Sequence, residues 1–265
     1  QLRLIGDPTK RYIEDPVRML RAIRFASKFD LKMHSSAEEP IKENSHLLEN
    51  IPSGRLYEEI LKLFLNGNAY KTLIELRRYN LFEYLFPQTN QVLTQNERGY
   101  AHEFIKHALK NTDQRVKEGQ TVNPGFLLAA ILWGPIRIMI EEYSSNGHSD
   151  MEATRLAGDT IISKQISSTS IPRRFTHMAR DIWVLQARLK RIKRKSLRIL
   201  AHPRFRAAYD FLLLRAQSGE CIEELIEYWT KEQLKEPHAG KNKMKTRRNR
   251  NSSKRFNRNS RTKDL

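Results

Sequence analysis

One acidic and three basic residues recur at a spacing of three near the start of the chain. They are Asp15, Arg18, Arg21 and Arg24. On an α-helix, residues three apart differ by about 300° in direction, so the four side chains form a slowly winding polar stripe. Leu20 and Ile23 fall on the opposite side and would anchor such a helix to a core. This stripe is the part of the sequence that can do specific chemistry.

A carboxylate beside a guanidinium presents one hydrogen-bond acceptor next to one set of donors. Adenine matches that order with its N6 amino group and N1, and cytosine matches it with N4 and N3. Guanine and uracil present the opposite order, and each unpaired polar group would cost about 1–3 kcal/mol. Asp15 with Arg18 can therefore select A or C but cannot separate the two. Arg21 and Arg24 suit a triphosphate or an RNA phosphate.

An ordinary structural explanation also fits these residues. Asp15-Pro16 is typical of a helix start, with Asp15 as N-cap and Pro16 at the first helical position, and the helix is predicted to end near Phe29. Asp15 and Arg18 would then form only a surface ion pair three residues apart, which contributes little to stability. Residue types alone leave this alternative open.

The composition points to a polyanionic partner. The chain has 265 residues, with 48 Lys+Arg against 30 Asp+Glu and a formal net charge of +18. Such a charge attracts nucleic acid or an acidic membrane surface. The most apolar stretch, 126–140, is too short to span a bilayer and is interrupted by Gly134-Pro135, so nucleic acid is favoured and no membrane is expected. The single cysteine, Cys221, fits a reducing cytoplasmic location.

Helical periodicity dominates, and we predict an all-α fold. The predicted helices after the first cover about 36–49, 54–66, 68–79, 100–118, 124–143, 149–164, 172–194, 203–217 and 220–235. Phe175, Met178, Ile182, Leu185, Leu189 and Ile192 form a packing seam on the helix that starts at Pro172. Residues 236–265 contain five Lys and six Arg against two acids, and we expect this tail to be disordered.

A second basic cluster precedes His202-Pro203, with no acid between positions 182 and 209. Its members are Arg188, Lys190, Arg191, Lys193, Arg194, Lys195 and Arg198. A solvated helix face is the usual role of such charges, but their number favours contact with an RNA backbone. His102 and His107 are five residues apart, which is awkward for shared metal ligation, so no metal site is predicted. Trp133, Trp183 and Trp229 are expected in the core.

The first 26 residues closely resemble the neck region of the class II nucleotidyltransferases, which comprise bacterial poly(A) polymerases and tRNA CCA-adding enzymes. The resemblance lies in Ile5-Gly-Asp-Pro with Arg11, and in Glu14-Asp-Pro-Val-Arg-Met-Leu-Arg-Ala-Ile-Arg-Phe-Ala. It implies that Glu14, Asp15 and Arg18 belong to an amino-acid template that hydrogen-bonds the incoming base. Arg21 and Arg24 then occupy the next nucleotide-contacting positions.

Other positions acquire supporting roles through the same resemblance. Arg11 and Glu14 would support the geometry between a catalytic head and the neck. A looser similarity at Ile51-Pro-Ser-Gly-Arg-Leu-Tyr-Glu-Glu implies that Arg55 and Glu58 brace the template helix.

Beyond the neck, the chain is more similar to the poly(A) polymerases than to the CCA-adding enzymes. The similarity lies in Val122-Asn-Pro-Gly-Phe, Ile171-Pro-Arg-Arg-Phe, His202-Pro-Arg-Phe-Arg and the arginine-rich end. It implies a neck over 1–66, a helical RNA-binding body over 67–235 and the basic tail over 236–265. The implied activity is addition of AMP from ATP to RNA 3′ ends without a template, with RNA-turnover proteins as candidate partners of the tail.

The chain departs from this family in one respect. Family members use an Asp-x-Asp pair in an N-terminal head to bind Mg²⁺, and no Asp-x-Asp occurs here. We therefore expect no catalytic residue and no cofactor in this chain, and no polymerisation by it in isolation. Two alternatives stay open, namely a fragment of a tRNA CCA-adding enzyme and a noncatalytic helical RNA-binding module.

Overall fold

The computed structural model describes residues 1–96, 99–191 and 196–235, and this part of the chain is almost entirely helical. The helices are α1 (Pro8–Glu14), α2 (Val17–Phe29), α3 (Ser35–Asn44), a 3-10 helix (Ser45–Asn50), α4 (Ser53–Phe64), α5 (Ala69–Arg78), α6 (Phe82–Leu85), α7 (Pro87–Gln95), α8 (Tyr100–Lys117), α9 (Pro124–Ile131), α10 (Trp133–Ser145), α11 (Asp150–Ser168), α12 (Arg173–Leu189), α13 (Ser196–Leu200), α14 (Phe205–Gln217) and α15 (Glu223–Lys235). An isolated bridge joins Leu2 to Met33. The prediction of an all-α fold is confirmed for the described residues.

Helix α2 is anchored as its periodicity predicts. Val17, Leu20 and Ile23 are fully buried, and Ala26 is nearly so. These residues share one side of the helix and pack toward α4 and α5. The helix ends at Asp30, which adopts a left-handed conformation with φ of 52°. The opposite side of α2 stays at the surface.

Four short helices and one break separate the structure from the predicted helices. No helix was predicted over α1, α6, α7 or α13. The predicted helix 124–143 is divided into α9 and α10, which are bent by 57°. Pro135 explains the break because it has no N–H to donate to the carbonyl of Ile131. No single described helix is long and apolar enough to cross a membrane, although this bent pair would pass by length and composition.

Most buried apolar residues form one cluster that runs from Tyr12 to Leu214. It is continuous across position 66, so the predicted neck and body share a core here. A second cluster lies around Trp229 and contains Leu185 and Leu189 of α12. The predicted seam of α12 thus contacts both clusters, while its last member, Ile192, lies outside the described residues. Trp133, Trp183 and Trp229 are buried, as expected.

Candidate nucleotide-recognition and RNA-binding site

Asp15 lies at the junction of α1 and α2. Asp7 caps α1 by accepting hydrogen bonds from the backbone N–H groups of Thr9 and Lys10, at 2.9 and 3.3 Å. The helix ends at Asp15, whose backbone is extended, with φ of −148°. Pro16 explains this extended backbone, because a proline disfavours the helical conformation of the residue before it. The sequence therefore forms a helix–break–helix that presents the Asp15 side chain at a corner.

The predicted N-cap role of Asp15 is wrong. Pro16 is the N-cap of α2, and no side chain caps that helix. The Asp15 carboxylate instead accepts a hydrogen bond from Arg55 of α4, with Nη2 to Oδ2 at 2.9 Å. Arg55 is 40 positions away in sequence, so tertiary folding brings it to this corner. The ordinary capping explanation for Asp15 is thereby removed.

The two oxygens of Asp15 have different environments. Oδ2 lies 2.9 Å from Arg55 and 4.0 Å from Nε of Arg18. Oδ1 is buried and has no hydrogen-bond partner among the described residues. A buried acceptor without a partner costs about 1–3 kcal/mol, and a donor that reaches it would remove this cost. One oxygen is thus fixed by Arg55, and the other is a buried acceptor without a partner in the described residues.

Arg18 is held in place beside Asp15. Its Nη1 donates to Oε2 of Glu14 at 3.1 Å and to the backbone oxygen of Arg11 at 3.5 Å. The same Glu14 oxygen accepts from the side chain of Arg11 at 3.4 Å. The Arg18 side chain remains about one-third exposed, with a relative accessibility of 34%. These contacts link Arg11, Glu14 and Arg18 into one surface network next to the carboxylate.

Arg21 and Arg24 differ from each other. Arg21 is partly exposed, and its Nη2 lies 3.5 Å from Oε1 of Glu59. The guanidinium of Arg24 lies over the ring of Phe25, 4.8 Å from its centroid, and its Nε is buried with no hydrogen-bond partner in the described part of the chain. Both residues are half-exposed, so the two differ in their contacts and not in exposure.

The acid of α4 that contacts α2 is Glu59, which corrects the prediction that Glu58 braces this helix. Glu59 is almost fully buried and accepts from Arg21 and, at 3.0 Å, from Lys62. Glu58 is exposed. Adjacent residues on a helix differ by about 100° in direction, so only one of the two can face α2.

The second basic cluster is described at four of its seven positions. Arg188, Lys190 and Arg191 are exposed at the end of α12, and Arg198 is exposed on α13. Lys193, Arg194 and Lys195 lie outside the described residues, as does the predicted tail 236–265. Although the surrounding sequence contains no acid, Asp150 of α11 lies 3.6 Å from Lys190. One charge of the cluster is thus partly neutralised by another helix.

A polar cavity next to this cluster was not predicted from the sequence. It has a volume of about 190 Å³, and Lys190, Arg215 and Glu220 contribute to its lining. Arg215 is buried and donates from Nε to Glu220 at 3.1 Å and from Nη1 to Gln186 at 3.1 Å. Burial alone would raise the pKa of Glu220, but the hydrogen bonds from Arg215 outweigh it and hold that pKa below its usual range. The signal that could have indicated this pair is its spacing of five across a glycine turn.

Two family models match the chain. One, described as "Probable RNA and SrmB- binding site of polymerase A", matches residues 30–93, and another, described as "Polymerase A arginine-rich C-terminus", matches residues 146–263. Poly(A) polymerase I of Haemophilus influenzae is 44% identical over 233 residues, which are 86% of this chain and 51% of that protein. The chain belongs to the bacterial poly(A) polymerase family. The resemblance found in the sequence is thereby confirmed.

Other relatives show how far the family similarity extends. Poly(A) polymerase I of Salmonella typhimurium is 41% identical over 240 residues, 89% of this chain and 52% of that protein. The CCA-adding enzyme of Ligilactobacillus salivarius is 41% identical over only 83 residues, 31% of this chain and 20% of that enzyme. The chain thus spans about half the length of the poly(A) polymerases that it matches.

The fold is similar to that of a solved class II enzyme. The structure of the Thermotoga maritima CCA-adding enzyme complexed with tRNA superposes with a TM-score of 0.56, covering 88% of this chain and 50% of that one. The sequence identity is 17%, so this likeness concerns the fold.

Proposed function

We propose that this chain is the base-recognising and RNA-binding part of a poly(A) polymerase that adds AMP from ATP to RNA 3′ ends. The observation that carries this proposal is the Asp15 carboxylate: Oδ2 is held by Arg55 and lies 4.0 Å from Nε of Arg18, and Oδ1 is buried with no hydrogen-bond partner in the described part of the chain. A rotation of the carboxylate that exposes Oδ1 would let it accept from the adenine N6 amino group, while Arg18 would donate to N1. Guanine would face Asp15 with an oxygen and Arg18 with an N–H.

The phosphates and the RNA would lie to the side of this pair. Arg21 is partly exposed and would contact the triphosphate, for which a guanidinium is well shaped. The exposed cations at the end of α12 and on α13 would follow the RNA backbone. RNA-turnover proteins remain proposed partners of the tail. The family model over residues 30–93 is described as a probable RNA and SrmB binding site, which is a parallel case of partner binding in another part of the chain.

The polymerising chemistry is assigned to other residues of the intact enzyme. Two-metal catalysis needs a carboxylate cluster. The described residues contain no group of three or more His, Cys, Asp or Glu side chains that could hold a metal ion. The Asp15 carboxylate already contacts Arg55 and Arg18, so it does not fit the role of a metal ligand. We therefore assign base selection, and no metal-dependent step, to these residues.

Nucleotide incorporation by the full-length protein tests the proposal. Asp15→Ala and Arg18→Ala should each reduce the preference for ATP over GTP about tenfold or more, because each leaves a base edge unpaired at about 1–3 kcal/mol. Asp159→Ala and Arg180→Ala are matched controls, since that pair at 2.8 Å joins α11 and α12 instead. An unchanged ATP preference in both Asp15 and Arg18 variants would show that the pair does not read the base.

The same assay separates the proposal from CCA addition. The sequence similarity to CCA-adding enzymes covers 31% of this chain, and an Asp–Arg pair accepts cytosine as well as adenine. A CCA-adding enzyme incorporates C and A on tRNA and then stops, whereas we expect repeated AMP addition. A noncatalytic RNA-binding module would bind RNA without any preference for ATP over GTP.

A further inference from the structure

Two aromatic side chains on α2 are unusually exposed. Phe25 and Phe29 have relative accessibilities of 42% and 57%, and they are the exposed phenylalanines of the described residues. Their rings are nearly parallel, with an interplanar angle of 14° and centroids 6.2 Å apart. Large aromatic side chains are normally buried, so an ordered pair at the surface is informative.

Cationic side chains accompany both rings. The guanidinium of Arg24 lies 4.8 Å from the centroid of Phe25, and Nζ of Lys28 lies 5.5 Å from that of Phe29. The nearest acid at the helix end, Asp30, is paired with Lys71. Exposed aromatic rings combined with positive charge are the features with which proteins bind single-stranded nucleic acid, because bases stack on the rings and phosphates meet the cations.

The two rings lie on the same side of α2 as Arg18. Phe25 and Phe29 follow Arg18 by seven and eleven residues, which places both within about 20° of its direction on the helix. Along the helix axis they are about 10 and 16 Å from it. At about 3.4 Å per stacked nucleotide, these distances correspond to about three and five nucleotides. The rings therefore continue the line that begins at the base-reading pair.

We propose that Phe25 and Phe29 form a stacking platform for RNA bases about three to five nucleotides before the 3′ end. The proposal rests on the proposed function, in which Asp15 and Arg18 hold the incoming base. Arg21 and Lys28 flank the rings on one side of the helix and would contact the phosphates of the same strand. The platform would hold the growing end near the incoming nucleotide without reading its sequence, since every base has a stacking face.

A folded protein partner fits this surface less well. An apolar protein interface favours a continuous dry patch with few charges at its centre. Here each ring has a cation above it, and Arg21 lies beside them. A negatively charged strand with flat bases complements both features at once.

Binding of a 15-nucleotide oligo(A) RNA to the full-length protein tests this platform. In the double variant Phe25→Leu/Phe29→Leu, apolar volume is retained but stacking is lost, and we expect RNA affinity to fall about tenfold or more. Phe25→Tyr/Phe29→Tyr retains the aromatic faces and should bind like the wild type. Ile138→Ala, at an exposed aliphatic residue of α10, is the control and should also bind normally.

An RNA without bases at the third to fifth positions from its 3′ end completes a double-mutant cycle with the Leu variant. It should bind the wild type as weakly as intact RNA binds the Leu variant, and it should lose no further affinity in that variant. The platform is rejected if the Leu variant binds intact RNA with wild-type affinity. It is also rejected if the variant lowers the affinity for intact and for abasic RNA by the same factor, and in both cases the proposal of RNA binding still stands. Absence of RNA binding by the wild type would reject the proposed function together with the platform.

Discussion

At the residue scale, the candidate site depends on how differently the two oxygens of Asp15 are treated. A free surface aspartate would rotate, and both oxygens would be hydrated. Arg55 fixes Oδ2 at 2.9 Å, while Arg18 is held by Glu14 and the Arg11 backbone. In the proposed function, these contacts would restrict Asp15 and Arg18 before a nucleotide binds, which would reduce the entropy lost on binding.

Removal of Arg55 should weaken base selection and leave the stability of the fold nearly unchanged. Arg55→Ala leaves Asp15 free to rotate, so we expect a several-fold loss of ATP-over-GTP discrimination. The ion pair is at the surface, where such pairs contribute about 0–1 kcal/mol, so the melting temperature should change little. Arg78→Ala, which removes a 2.9 Å pair with Glu38, is the control for loss of a surface arginine. Incorporation ratios and thermal unfolding measure the two effects, and an undiminished discrimination would contradict the role of Arg55.

Asp15 and Arg18 could be singled out in the sequence because they lie only three residues apart in one short segment. The sequence could not identify Glu59 over Glu58, because the choice depends on how α4 is rotated against α2. Asp150 was missed for a similar reason, since it approaches Lys190 only after α11 packs beside α12. Hydrogen-bond order is a local property of residue types, whereas these contacts are made across the fold.

At the element scale, strongly periodic helices were predicted and short ones were not. The amphipathic pattern of α2 and α12 repeats over several turns and indicates a buried side. α6 has four residues, Phe82–Leu85, which is too short for such a repeat. α1 is capped by Asp7 with Pro8 at its first position, a start signal that the prediction did not use.

The packing of α9 against α12 depends on Gly125. A Cβ at this position would lie 2.9 Å from Cβ of Met178, closer than side chains normally approach. We expect Gly125→Ala to destabilise the protein by about 1–3 kcal/mol, because the helices must move apart. Gly54→Ala is the contrasting variant, since nothing lies within 4 Å of its Cβ, and it should be neutral or stabilise α4 by up to about 1 kcal/mol. Denaturant unfolding measures both, and equal effects would contradict the close contact.

At the scale of the whole molecule, the pair of buried Arg215 and partly buried Glu220 ties the end of α14 to α12 through Gln186. The pKa of Glu220 is lowered in the folded state. As the pH falls through about 4.3, Glu220 therefore becomes protonated in the unfolded chain before it does so in the folded chain. The stability from this pair is present above that pH and is lost as the pH falls through the lowered pKa.

Glu220→Gln should therefore cost about 1–3 kcal/mol of unfolding free energy at pH 7. The difference from the wild type should narrow as the pH is lowered below about 4, because the wild-type carboxylate becomes protonated as well. Glu227→Gln is the control, since that residue forms an exposed pair with Lys231, and it should change stability by less than about 0.5 kcal/mol. Urea unfolding at pH 7 and at a pH below about 4 measures the free energy of unfolding of variant and wild type. A difference between the two proteins that does not change with pH would exclude the charged pair as its source.

The net charge of +18 makes a prediction about the whole RNA-binding surface. Each phosphate that a cation neutralises on single-stranded RNA contributes about 0.7 to the slope of log affinity against log salt. Changing Arg188, Arg191 and Arg198 to Gln should lower the slope by about 0.7 for each of these arginines that binds a phosphate. Lys190→Gln should lower it less, because Asp150 already lies 3.6 Å from that lysine. Lys231→Gln on α15, a cation outside the cluster, should leave the slope unchanged. A slope that falls equally for Lys231 and the cluster residues would show that RNA responds to net charge alone, with no defined path along α12 and α13.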